Sequence, residues 1–142
     1  MYKNILVAID PSDEASSGRA LAAAVELARA FGARLHAVAV VRDVDAMIRT
    51  SYFPPGYEWM LEEAKSRLAT LMRRGCPSDL AADTFVAHGA TVYGEILRRA
   101  AEIKADLIVM GPHRPEMKDY LLGTNAARVV RHGGCSVLIV RD

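Results

Sequence analysis

Asn4-Ile5-Leu6-Val7-Ala8-Ile9-Asp10-Pro11-Ser12 is a run of apolar residues stopped by an acid, a proline and a serine. A half-exposed strand alternates apolar with polar side chains. The unbroken Ile5–Ile9 run instead predicts a strand covered on both faces, with Asp10-Pro11-Ser12 as the turn that ends it. Ser12, followed by Asp13 and Glu14, predicts a helix N-cap and an acidic first turn, because a side-chain oxygen satisfies a free backbone amide and negative charge favours the positive end of the helix dipole. Ala20, Leu21, Ala24, Leu27, Ala28 and Phe31 then recur at helical spacing until Gly32, a natural C-terminal stop.

Outward from this unit the alternation repeats. Leu35 to Val41 reads as a second apolar strand. Met60, Leu61, Ala64, Leu68, Leu71 and Met72 mark one face of a helix that ends at Gly75-Cys76-Pro77. Between them Arg42 to Tyr57 is irregular and longer than most connections, which suits a functional flap, a partner-binding segment or local packing of its Tyr52-Phe53-Pro54-Pro55-Gly56-Tyr57 cluster. Residues 82 to 88 form a third, more polar strand suited to a sheet edge, and Val92, Ile96, Leu97, Ala100 and Ile103 predict a third helix. Asp106 to Met110 is a fourth, buried strand. A last helix from Thr124 to His132 leads into Val137-Leu138-Ile139-Val140 as the fifth. This βαβαβαβαβ order specifies an α/β fold: an open parallel sheet, right-handed crossovers and helices on both faces.

With 142 residues, half of them apolar and a quarter charged, the chain fits one ordinary globular domain spanning 1–142. Its 18 basic and 17 acidic side chains nearly cancel, so the field that gathers nucleic acid or an anionic membrane is missing. Cys76 and Cys135 sit in different elements without metal-binding spacing, as suits thiols in a reducing compartment. The apolar stretch before Asp10 is too short for a signal segment and no run approaches bilayer length, so a cytoplasmic location is expected.

In such a sheet, ligands bind beyond the carboxyl ends of the strands, where crossovers leave in opposite directions. Three segments compete for that place: Ile9-Asp10-Pro11-Ser12, Val40-Val41, and Gly111-Pro112-His113-Arg114-Pro115. The last runs on to Gly123-Thr124-Asn125-Ala126, where the final helix begins. Gly123 lets an anion approach the backbone, first-turn amides point outward, and Thr124 adds a hydroxyl, so the junction can bind phosphate. Arg114 can supply charge, and Gly111 lets the chain leave its strand sharply. A plain turn at Gly111 and a plain cap at Gly123-Thr124 fit the same spacing.

The whole chain resembles the universal stress protein family. That family places Gly, two residues, Gly, nine residues and Gly-Ser or Gly-Thr between its fourth strand and last helix, where the loop wraps the ribose and phosphates of ATP. Gly111 matches the first glycine and Gly123-Thr124 the closing pair. The middle glycine is replaced, and the interval to Gly123 is one residue shorter. His113-Arg114-Pro115, Tyr120-Leu121-Leu122-Gly123, Asn125-Ala126 and Val129-Val130-Arg131-His132 agree with a branch of small bacterial members that has a shortened loop. The resemblance runs from Asn4-Ile5-Leu6-Val7 to Val137-Leu138-Ile139-Val140-Arg141. It implies strand order 3-2-1-4-5, the adenine nucleotide alpha hydrolase-like arrangement. It also implies ATP with Mg2+ as ligand, bound by Asp10, Pro11, the Val40 backbone, Gly111, His113, Arg114, Gly123, Thr124 and Asn125. Asp10 is then the carboxylate facing adenine or ribose, although it can also cap the first helix.

Neither GxxxxGK[ST] nor GxGxxG occurs, and the third strand ends in His88-Gly89 rather than the aspartate a phosphoryl-accepting receiver needs. The final strand, Val137 to Val140, is apolar and has no later element to cover it. Its edge therefore suits pairing with a second copy, as homodimer or higher oligomer, which is also the seam the resemblance implies. Two alternatives to a nucleotide-dependent stress or signalling module stand beside it. One is a dimeric interaction module without nucleotide; the other is a slow ATPase, for which the loop offers His113, Glu116 and Asp119 without an evident base or metal clamp.

Overall fold

The computed structural model describes residues 1–43, 56–112 and 122–141. They form β1 (Asn4–Ala8), α1 (Glu14–Phe31), β2 (Arg34–Arg42), α2 (Gly56–Gly75), β3 (Ala82–Gly89), α3 (Val92–Glu102), β4 (Leu107–Met110), α4 (Thr124–His132) and β5 (Ser136–Ile139). All ladders are parallel, and the strand order is β3-β2-β1-β4-β5, the order the resemblance implies. Crossovers from β1 step one way to β2 and β3, and the crossover from β4 steps the other way to β5. The ends of β1 and β4 are therefore the switch point.

The two-residue period of the strands divides the core into two. Ile5, Val7, Leu35, Ala37, Leu107 and Val109 face α1 and α2. Leu6, Val38, Ala87, Ile108 and Met110 face α3 and α4. Consecutive Ile5, Leu6 and Val7 are all inaccessible to solvent, which is why β1 reads as a continuous apolar run instead of an alternation. α1 lies on the sheet through Ala20, Ala24 and Ala28, each fully buried; a stripe of methyl side chains lets the helix come close to the strands. Gly32 closes it in the left-handed conformation, φ 64°, its amide returning to the Ala28 and Arg29 carbonyls.

Several boundaries move from the sequence reading for identifiable reasons. The cap of α1 is Asp13, whose Oδ1 accepts from Ser16 N at 3.1 Å. Ser12 is not the cap, because its amide and hydroxyl both turn back to Asp10 Oδ1, at 2.9 and 2.6 Å, so the helix starts one residue later. Asp106 is not the first residue of β4. Its carboxylate accepts from Lys3 N and Asn4 N, at 2.8 and 3.1 Å, and pins the start of β1 beside it. β5 ends at Ile139, although Val140 N still donates to Met110 O at 2.8 Å. β3 takes one edge of the sheet, as its polar composition predicts, and β5 takes the other, with Leu138 38% exposed.

From the Arg42–Tyr57 stretch, residues 44–55 lie outside the described residues. At its end Tyr57 packs with Met60 against Val41 and Leu61, the satellite arrangement that its aromatic character allows. The Tyr57 hydroxyl donates to Asp43 Oδ1 at 2.8 Å and its ring meets His88 edge-on, with centroids 5.2 Å apart. Burial, then the bond to Asp43, push the Tyr57 phenol well above the ordinary tyrosine value. Among the described residues no helix is long and apolar enough to cross a membrane.

Candidate functional site

A cavity of ≈ 600 Å³ opens at the switch point. Its floor is made by the strand ends and its walls by the first turns of α1, α3 and α4. Asp10, Val40, Gly111, Thr124 and Asn125, singled out from the sequence, all line it. Pro11 instead lines an adjoining recess of ≈ 300 Å³ toward α2, where Met60, Glu63 and Arg67 form the far side. His113 and Arg114 lie outside the described residues.

The β1–α1 turn is held by backbone and hydroxyl bonds that converge on Asp10. Ile9 N donates to Val38 O at 2.8 Å, the last bond of the β1–β2 ladder. The Ser17 hydroxyl accepts from Asp10 N at 2.9 Å and donates to Asp10 O at 2.8 Å, so one side chain satisfies both polar groups of the same residue. Asp13 N donates to Asp10 O at 3.0 Å. With Ser12 bonded to Oδ1, the Asp10 carboxylate is fixed at the cavity wall. The residue shapes the turn and presents a negative edge to the cavity; it does not cap the helix.

Val40 lies two residues beyond Val38, and alternation along a parallel strand directs the peptide groups of both residues to the same side. On that side β1 has already turned away into α1, so the Val40 backbone borders the cavity instead of a neighbouring strand. This is the local reason a main chain can offer a donor and an acceptor to a planar ring there.

At the end of β4, Gly111 packs closely on the Ser16 side chain. A Cβ there would overlap Ser16 Oγ, so the glycine leaves room for that hydroxyl in its present position. Gly89, at the end of β3, is crowded in the same way: a Cβ would come within 2.6 Å of the Glu95 carboxyl carbon.

Gly123, which the sequence offered as the point where an anion approaches the backbone, is buried and does not line the cavity. Its N–H donates to Pro112 O at 2.9 Å, and its carbonyl accepts the first helical bond, from Ala127 N, at 2.9 Å. Gly123 is the N-cap of α4 and has no side chain with which to cap it, and the first turn contains no acidic residue. The positive end of this helix thus meets the cavity without a built-in negative partner from either source. Asn125 does a job the sequence did not disclose: its Oδ1 accepts from Tyr93 N at 3.2 Å, joining the first turns of α3 and α4.

Other lining residues escaped the sequence reading. Ser16 and Ser17 are 7% and 5% exposed at the start of the alanine stripe of α1. A polar side chain in a buried stripe demands a partner, a signal present in the sequence. Thr91 caps α3 by accepting from Gly94 N at 3.2 Å, and Tyr93 and Arg128 face the cavity across the α3–α4 junction. Arg128 follows Thr124 by one helical turn, so its placement was implicit in the helix period. Among the described residues no cluster of His, Cys, Asp or Glu could hold a metal ion.

With this geometry in view, comparison with known proteins defines the class. The family model of the universal stress protein family matches residues 1–141, and the chain belongs to that family. It is similar to a Thermus aquaticus universal stress protein encoded in the QAH/OAS sulfhydrylase 3' region, 36% identical over 143 residues, 99% of this chain and the full length of the relative. The solved structure of UspA from Lactobacillus plantarum is 27% identical, with TM-score 0.74 over 99% of this chain and 98% of that one. A universal stress protein in complex with cAMP is also 27% identical, with TM-score 0.62 over 99% of this chain and 97% of that one.

Proposed function

We propose that the cavity binds an adenine nucleotide, ATP with Mg2+, and that the protein acts in the cytoplasm as a nucleotide-dependent module of stress response or signalling. The observation that carries this reading is that one cavity at the switch point is lined both by a fixed carboxylate, Asp10, and by the first turn of α4, whose N-cap residue has no side chain and which contains no acid. Asp10 is suited to accept from an amino group or a ribose hydroxyl, and the Val40 backbone to meet the edge of a purine. The first-turn amides of α4, with Thr124, suit the phosphates. The cAMP complex of a family member supports an adenine ligand for the fold. Mg2+ would enter on the phosphates with its waters, since such ions are commonly held by the nucleotide with few protein ligands. Pro11, Gly111, His113, Arg114, Gly123 and Asn125 complete the proposed site.

The exposed edge of β5 supports a homodimer formed through Val137, Leu138, Ile139 and Val140. Leu138→Lys is expected to convert a dimer to monomer in analytical ultracentrifugation, and a wild-type monomer would remove the seam.

The test of the nucleotide reading is to denature purified protein and identify released small molecules by mass spectrometry, and to titrate ATP with magnesium while following thermal melting. Bound or stabilising ATP is expected, with binding lost in Gly123→Val. No nucleotide and no shift would leave the dimeric interaction module as the reading, and normal binding by Gly123→Val would refute the site.

A further inference from the structure

Arg128 stands at the α3–α4 junction with its guanidinium carbon 5.0 Å from the centroid of the Tyr93 ring. The same ring is stacked on His132, one turn further along α4, with centroids 6.4 Å apart and planes at 30°. Its backbone amide is held by Asn125. Tyr93 thus meets α4 at three successive points, through its amide at Asn125 and through its ring at Arg128 and His132. Among the described residues Arg128 pairs with no carboxylate, although Asp10 and Asp13 line the same cavity.

A guanidinium drawn to an aromatic face by cation–π attraction makes no hydrogen bond to it and so keeps its N–H donors for an anion. An arginine held over an aromatic ring is therefore a pre-positioned fork for a tetrahedral anion, a geometry that a lysine cannot copy. Its place one turn inside α4, whose first turn contains no acid, puts this positive charge near the positive end of the helix dipole. The acids occupy the opposite, β1–α1 wall. The cavity is polarised, and the polarity matches a ligand with a neutral hydrogen-bonding base at one end and phosphate at the other.

We infer that Arg128, positioned by Tyr93, is the residue that makes the cavity select phosphorylated adenine ligands over the bare nucleoside. This rests on the nucleotide reading given above and adds a specificity-determining residue to it. Arg128 contributes to affinity only when the ligand carries phosphate, so its removal separates ligands that the rest of the site treats alike.

Calorimetric titrations of wild-type protein, Arg128→Gln, Arg128→Lys and Tyr93→Leu with ATP, AMP and adenosine test this, with melting curves to establish that each variant is folded. Arg128→Gln is expected to weaken ATP by about 10- to 100-fold, the usual loss for a charge-assisted contact, and to leave adenosine unchanged. Arg128→Lys recovers part of the loss, and Tyr93→Leu shows a smaller version of it. Added salt weakens ATP binding to wild-type protein more steeply than to Arg128→Gln. Equal losses for ATP and adenosine, or no loss for either, overturn the role of Arg128 while leaving the nucleotide site standing. Failure of wild-type protein to bind all three overturns both.

Discussion

Two serines contact Asp10, and replacing each by alanine should have very different consequences. Ser17 is 5% exposed and its hydroxyl makes both bonds to the Asp10 main chain, at 2.9 and 2.8 Å. Ser17→Ala leaves the Asp10 amide without that acceptor in a half-buried turn, at a cost of about 1–3 kcal/mol. It also loses the net worth of the second bond, about 0.5–1.5 kcal/mol. Water entering from the neighbouring cavity replaces part of the loss, which sets the expectation near 2 kcal/mol. For a chain of this size that is a fall of roughly 6 °C in melting temperature. Ser12 bonds only the Asp10 carboxylate, at an exposed position, and Ser12→Ala should change stability by less than about 0.5 kcal/mol. Urea unfolding followed by circular dichroism measures both. Equal effects of the two substitutions, or a stable Ser17→Ala, would refute the claim that Ser17 holds the turn.

Asp13→Ala removes the side-chain cap of α1 and should destabilise by about 0.5–2 kcal/mol in the same assay, more than Ser12→Ala does. The raised affinity of the Tyr57 phenol for its proton stabilises the fold below the ordinary tyrosine pKa of about 10, and that stabilisation is lost as pH rises. Wild-type stability should therefore fall more steeply than that of Tyr57→Phe above that pH, and ultraviolet titration should find one of the five tyrosines ionising last. Burial raises the pKa of both Cys76 and Cys135, so native protein should react with a disulfide reagent at pH 8 more slowly than the urea-unfolded chain.

The sheet was legible in the sequence because its signals are local. The Ile5–Ile9 run and the alanine stripe of α1 each state their environment within a few residues, and alternating units leave little choice of topology. The capping of α1 was misread by one residue, since Ser12 and Asp13 are both good caps and the choice is made by Asp10, which draws both Ser12 donors to itself. Asn125 illustrates a different limit. Its partner is the backbone of Tyr93, 32 positions away, and no spacing rule reveals a bond made where two crossover helices meet. Gly111 was read as permitting a sharp exit from β4; its contact with the Ser16 hydroxyl, 95 positions away, is a second constraint that no spacing rule discloses. The strand-end position of Asp10 was readable; that its main chain is clamped by Ser17 was not.

The cavity draws its lining from five separated stretches, between Ala8 and Arg128. No fragment of the chain contains it, so it comes into being when the sheet is assembled through β4 and α4 is docked. A ligand seated there reports on completion of the fold. At a concentration one hundred times its dissociation constant it would add about 2.7 kcal/mol to global stability, comparable to the cost of one severe core substitution. Under the proposed nucleotide reading, occupancy would mark complete copies, since partly unfolded or truncated ones would lack part of the lining.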